Sequence, residues 1–187
     1  MNFVMTQPAN QSTPKRHDHS FLNRRLTVYA KPTAPLVSRH LKRLDGSFLR
    51  LSNDFLWLND DEHIRHMMSQ RATIIGNFMK ELDSIIGSYT DILRNHHIPD
   101  IELKTLRPEA SFDFELHSSS SLDAIRIFEK LDLIFILLEA MKQNGLIDEL
   151  AFIHACNAWK NSTGHFAKNI HELRAQCMQA SLDKKEK

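Results

Sequence analysis

The 187-residue sequence predicts a mainly α fold with a short β-ribbon, and three observations carry that expectation. Phe 11 and Met 7 against Gly 5 and Tyr 2 favour helices over a sandwich or barrel, which needs more turn-forming glycine. Leu26, Val28 and Ala30 alternate with Arg25, Thr27, Tyr29 and Lys31, the period of a strand with one face buried. Beyond Pro32 and Pro35, apolar residues recur at helical spacing through most of the chain.

Met1 to Asn23 reads as a flexible basic arm, with Pro8 and Pro14 and no apolar period. Residues 24–60 form a strand-helix segment. Its helix is predicted from Leu36, Val37, Leu41, Leu44, Phe48 and Leu51, with Gly46 as a weak point. Residues 61–182 form a helical body. Its first helix, 61–97, is capped by Asp60 or Asp61 and carries a heptad stripe of Ile64, Met68, Arg71, Ile75, Phe78, Leu82, Ile85, Tyr89 and Ile92. A helix of that length, about 55 Å at ~1.5 Å per residue, calls either for a partner helix or second subunit, or for cover by the chain's own C-terminal helices.

Pro99 and Pro108 bracket a loop, and Phe112, Phe114 and Leu116 mark a second short strand at 111–117. Ser118 to Ser121 ends in an N-cap with Asp123 in the first turn, and Asn144-Gly145 stops the helix that follows. Leu133 to Leu138 is apolar on every side, so this should be the most buried helix. Two more helices are predicted over 147–160 and 165–182, before a solvated tail at 183–187.

Composition narrows the function. No apolar run approaches the ~20 residues that span a bilayer, and the first twenty residues lack an apolar signal core. Two cysteines make no disulfide framework, so a soluble cytoplasmic protein is expected. No nucleophile elbow, phosphate loop or His-Glu-Xaa-Xaa-His occurs, so no catalytic residues, no cofactor and no small-molecule substrate are expected, and the chain reads as no enzyme. His63 and His66 beside Asp61 and Glu62, or His154 with Cys156 and Cys177, could hold a metal. Eleven scattered histidines give such pairs by chance, and no metal site is assigned.

Charge is more informative. Residues 1–50 hold nine Lys and Arg against Asp18 and Asp45, a net +7. The rest holds fifteen bases and twenty-one acids, a net −6. A basic segment on an acidic body suits a polyanion such as double-stranded DNA, although a basic N-terminal tail can serve solubility alone. A strand presenting Arg25, Thr27, Tyr29 and Lys31 suits one half of a ribbon lying in the major groove, and a homodimer would supply the other half. The order strand, helix, helix makes a ribbon-helix-helix-like DNA-binding module, with Arg24, Arg25, Thr27, Tyr29, Lys31, Arg39, Lys42 and Arg43 as its candidate DNA contacts. The alternative for the strand is an edge whose solvated charges blunt aggregation. The 111–117 strand would show Ser111, Asp113, Glu115 and His117 outward. Its carboxylates would be repelled by phosphate, so it is expected to stay on the body, pairing with its own chain.

The second half resembles a known family. Phe112-Asp113-Phe114-Glu115-Leu116-His117-Ser118, Leu131-Asp132-Leu133-Ile134 and Asn144-Gly145-Leu146-Ile147 are similar to motifs of the AcaB-type transcriptional regulators of conjugative plasmids and integrating conjugative elements. Leu26-Thr27-Val28-Tyr29 with Arg39 resembles that family's basic strand segment, and Arg71-Ala72-Thr73-Ile74-Ile75-Gly76 its central helix. Leu131-Asp132 stands for an aromatic-Asp pair, and Ser118 to Ser121 for Ser-Pro. The resemblance spans residues 25–165 and implies a DNA-binding regulator that activates conjugative-transfer genes. Asp54, Asp60, Asp61 and Glu62 crowd the expected start of the second helix, which would move the phosphate clamp to the arm. An accessory or structural protein of a conjugation apparatus, with no specific DNA site, is the alternative.

Overall fold

The computed structural model describes residues 22–57, 61–99, 101, 105–116 and 119–183. Residues 1–21 of the expected arm, the tail beyond 183, Asp60, His117 and Ser118 lie outside the described residues. Six elements follow in order: β1 (Leu22–Val28), α1 (Thr33–Trp57), α2 (Asp61–Asn95), β2 (Ala110–Leu116), α3 (Ser119–Gln143) and α4 (Glu149–Asp183). The mainly helical architecture with a short ribbon is the one the composition and periodicity predict.

The ribbon is where the structure departs most from expectation. β1 pairs antiparallel with β2 of the same chain, Leu26 opposite Phe112 and Arg25 opposite Asp113. The second strand therefore does not have to come from a twin; the 111–117 strand pairs with its own chain as expected, and its partner is the basic strand itself. The reason is complementarity on both faces. Leu26 and Val28 are buried beside the half-buried Phe112 and Phe114, while the outward faces bring a cation against carboxylates. The strand also ends earlier than the alternation suggests. Thr33 N–H donates to the Ala30 carbonyl at 3.0 Å, a turn that Pro32 makes easy, so Tyr29 and Lys31 leave the ribbon.

α3 is the central helix, with Phe128, Leu131, Ile134, Phe135 and Leu138 at most 2% exposed. α1 and α2 pack against it, and α4 closes the bundle against α1 and α2. Phe78 of α2 stacks on Phe166 of α4 with ring centroids 4.6 Å apart. The apolar stripe of α1 is buried as predicted, and the helix runs through Gly46 because Leu44 and Phe48 anchor the turns on either side.

The stripe on α2 is covered by α3 and α4 of the same chain. Its ends differ from the heptad reading: Met67 and Leu93 are buried, while Met68 is 45% exposed and Ile92 36%. A straight helix of 3.6 residues per turn drifts about 20° per heptad, so the buried face leaves the heptad positions toward both ends of the helix. Two helices predicted over 147–160 and 165–182 are one continuous α4. The break expected at Asn161 to Gly164 does not form: Trp159, Phe166, Ala167 and Ile170 are buried on one face that runs through it, and the buried Thr163 finds an acceptor for its hydroxyl in the Trp159 carbonyl at 2.8 Å.

The helix ends are built alike. At the end of α3, Leu146 N–H donates to Met141 and Gly145 N–H to Lys142, with Gly145 at φ 71°. At the end of α2, Ile98 N–H donates to Leu93 and His97 N–H to Arg94, with His97 at φ 57°. Both are Schellman caps, and their flanking apolar residues (Leu93 with Ile98, Met141 with Leu146) share a small second core. α4 starts on Asp148, whose carboxylate accepts from Ala151 N–H at 2.7 Å. α3 begins two residues before the predicted cap. Ser121 is buried and hydrogen-bonds Asp45 of α1 instead.

Candidate nucleic-acid interface

The outward face of the ribbon is built from three cross-strand pairs. Arg25 meets Asp113 through two hydrogen bonds of 2.7 and 3.1 Å, Thr27 meets Ser111 at 3.3 Å, and Asn23 stands opposite Glu115. The Arg25 guanidinium holds the Asp113 carboxyl below the usual carboxylate range, and the same pairing raises Arg25. One arginine against two carboxylates leaves this face without positive charge. Arg25 and Thr27, two of the three expected DNA contacts that stand on the strand, are both engaged inside the ribbon.

The other six go elsewhere. Arg24 lies opposite Phe114 on the inward-facing register, at the exposed end of the strand. Tyr29 is half-buried against the core, its N–H donating to Asp132 of α3 at 2.8 Å, and Ala30 N–H donates to the same carboxylate at 2.9 Å. Asp132, only 4% exposed, thus pins the end of β1 to the central helix. Lys31 is exposed at the turn before α1, and Lys42 is exposed on α1. Arg39 and Arg43 stand one turn apart on α1, on the side that packs against α4.

That side forms a groove the sequence did not announce. Arg39 and His40 face Lys160, His165 and Lys168 across it, and the groove continues past Arg43 to His171. Small residues Gly164, Ala167 and Ala175 line its α4 wall. Arg174 adds its charge beside His171. Lys160 and Arg174 are fourteen residues apart, about 21 Å along the helix at ~1.5 Å per residue. Glu172 is the acid on this wall, 3.5 Å from Lys168.

The histidines report the same field. Burial, then Arg39, Arg43 and His171, push His40 below its ordinary value. Burial, then Arg174 and Arg43, do the same to His171. His171 Nδ1 and the buried Ser47 hydroxyl share a hydrogen bond of 2.8 Å, which fixes the ring over the groove floor. The α4 residues were missed because splitting α4 at 160–165 broke up a stripe, 160, 164, 168 and 171, that is continuous at helical spacing.

Among the described residues no three His, Cys, Asp or Glu side chains converge as a metal site, and no helix is long and apolar enough to cross a membrane. Cys156 and Cys177 are both buried, and burial pushes the Cys156 thiol up.

No family model matches the chain, and no curated protein does either. Among solved structures it is similar to selenomethionine-containing AcaB from uropathogenic E. coli. The TM-score is 0.82 over 89% of this chain and 85% of that one, at 14% sequence identity. The chain therefore has the fold of AcaB, as the motifs at 112–118, 131–134 and 144–147 led us to expect.

Proposed function

We propose that the chain, sharing the AcaB fold, is a sequence-specific double-stranded DNA-binding regulator of transcription, acting as a homodimer on conjugative-transfer genes and doing no catalysis. The observation that carries this reading is the cationic groove between α1 and α4. Arg39, Arg43 and Lys160 have no acidic partner among the described residues, which leaves them available for phosphate. The ribbon is not the contact surface in this reading, because Arg25 is spent on Asp113 and Glu115 would face the phosphates. A palindromic site presents two equivalent halves, which a two-fold dimer matches. No strand pairs with the free edge of β1 among the described residues, and a second copy can add there.

The test is fluorescence anisotropy on promoter fragments selected from the native host by genome-wide mapping of bound sites. Arg39→Glu with Arg43→Glu should abolish binding while leaving the circular-dichroism melt in place, and Arg25→Ala should bind as the parent does. Full binding by the double variant would overturn the groove as the interface. No preference for any mapped fragment over random DNA would overturn specific regulation, and capture of a protein of the conjugation apparatus in its place would favour the accessory role.

A further inference from the structure

A second concavity lies on the other side of the Pro32–Pro35 turn from the basic groove. It is a cleft of about 890 Å³, inside the roughly 300–1,000 Å³ range of small-molecule sites. Phe135, Ile136 and Phe152 provide apolar walls. One rim is held rigid: Lys142 lies 3.0 Å from Glu139 and 3.5 Å from Glu149, with its ammonium 4.2 Å from the centre of the Phe152 ring. The β1 end is rigid too, since the Tyr29 and Ala30 amides are tied to Asp132. Glu139 and Glu149 are therefore engaged with Lys142. Lys31 and Lys160 also line the cleft and have no acidic partner among the described residues.

We propose that this cleft binds a small organic anion: an apolar body against Phe135, Ile136 and Phe152, and a carboxylate or sulfonate at Lys31 and Lys160. The chemistry follows from the division of the walls. Apolar surface supplies the affinity, and two lysines of the lining without acid partners supply an anion's counter-charge. Glu109, which also lines the cleft, disfavours a second anionic group on the ligand. The cleft shares Lys160 with the basic groove, and its binding is read on the protein without DNA, so the outcome does not depend on whether the chain binds DNA.

The probe is 8-anilinonaphthalene-1-sulfonate, with decanoate as a competitor, added to the full-length protein without DNA. Saturable binding at one site per chain, displaced by decanoate, is expected. Lys31→Glu with Lys160→Glu should weaken it at least tenfold, while Lys80→Glu on α2 should leave it unchanged. Photocrosslinking the unaltered protein with 4-benzoylbenzoate keeps the proposal testable if the double variant misfolds: adducts should map to the cleft-lining stretches 135–143 and 149–160. Absence of saturable binding, full binding by the folded double variant, or adducts confined to other surfaces would overturn it.

Discussion

Asp132 shows how much one side chain can hold. It is a buried acid on the central helix, and it accepts from the amides of Tyr29 and Ala30 where β1 ends. Asp132→Ala orphans two amide donors, at about 2–4 kcal/mol in total, and chemical denaturation should register the loss. Asp132→Asn keeps a single carbonyl acceptor and should fall between the two. His97 is a smaller case of the same local accounting. It occupies the left-handed position of the α2 cap, where Gly145 stands in the matching cap of α3. His97→Gly removes the Cβ clash at the expense of unfolded-state entropy, and a net stabilisation of about 0.5–1 kcal/mol is expected in the same assay. At this scale the sequence was readable for burial and less so for pairing. The alternation of Leu26 and Val28 marked their inward face, and that of Phe112 and Phe114 marked theirs. Nothing in a single strand names its neighbour, although Arg24 and Arg25 on one strand and Asp113 and Glu115 on the other were complementary in sign.

For the elements, periodicity revealed each helix, and its fine structure needed geometry. A heptad count and a 3.6-residue turn agree over the middle of α2 and part company at Met67 and Leu93. On α4, polar residues at 161–164 looked like a break until Thr163 found its acceptor one turn back. The groove between α1 and α4 depends on that continuity, and its titration is a second handle on it. Groups facing His40 and His171 there are Arg39, Arg43, Lys168, Arg174 and Glu172. Both histidines lie below their ordinary value, so between the folded and unfolded values the unfolded chain binds more protons. Stability should therefore fall as the pH drops through that window. DNA affinity should rise over the same window as the two rings become cationic, and His40→Gln with His171→Gln should flatten both curves, read by thermal melts and anisotropy. Salt offers an independent check on the same surface: replacing Arg39 and Arg43 by alanine should reduce the slope of log K against log salt by about 2, since each phosphate contact contributes about 0.9.

Across the whole molecule, the split between a basic N-terminal stretch and an acidic remainder is a property of the chain, and folding redistributes it. Arg25 is neutralised by an acid 88 residues away, while Arg39 and Arg43 gain Lys160 and Lys168 from the acidic part as neighbours. A linear charge count could anticipate a polyanion partner but not the surface that meets it, because that surface is assembled from two helices far apart in sequence. The same interleaving changes what a truncation should do. If β1 were a strand attached to a separate helical body, removing residues 1–31 would leave a folded remainder. In the structure Leu26 and Val28 belong to the same core as Phe48, Phe128 and Leu173, and β2 has β1 as its strand partner. Deleting residues 1–31 would expose the inner face of β2 and leave Asp132 buried without its two amide donors. That protein should lose its cooperative melt, whereas a deletion ending at Phe21 keeps every β1–β2 pair and should melt as a single transition. A folded, cooperative 32–187 fragment would mean that β1 is an appendage after all, and that α3 tolerates an unpaired carboxylate at its centre.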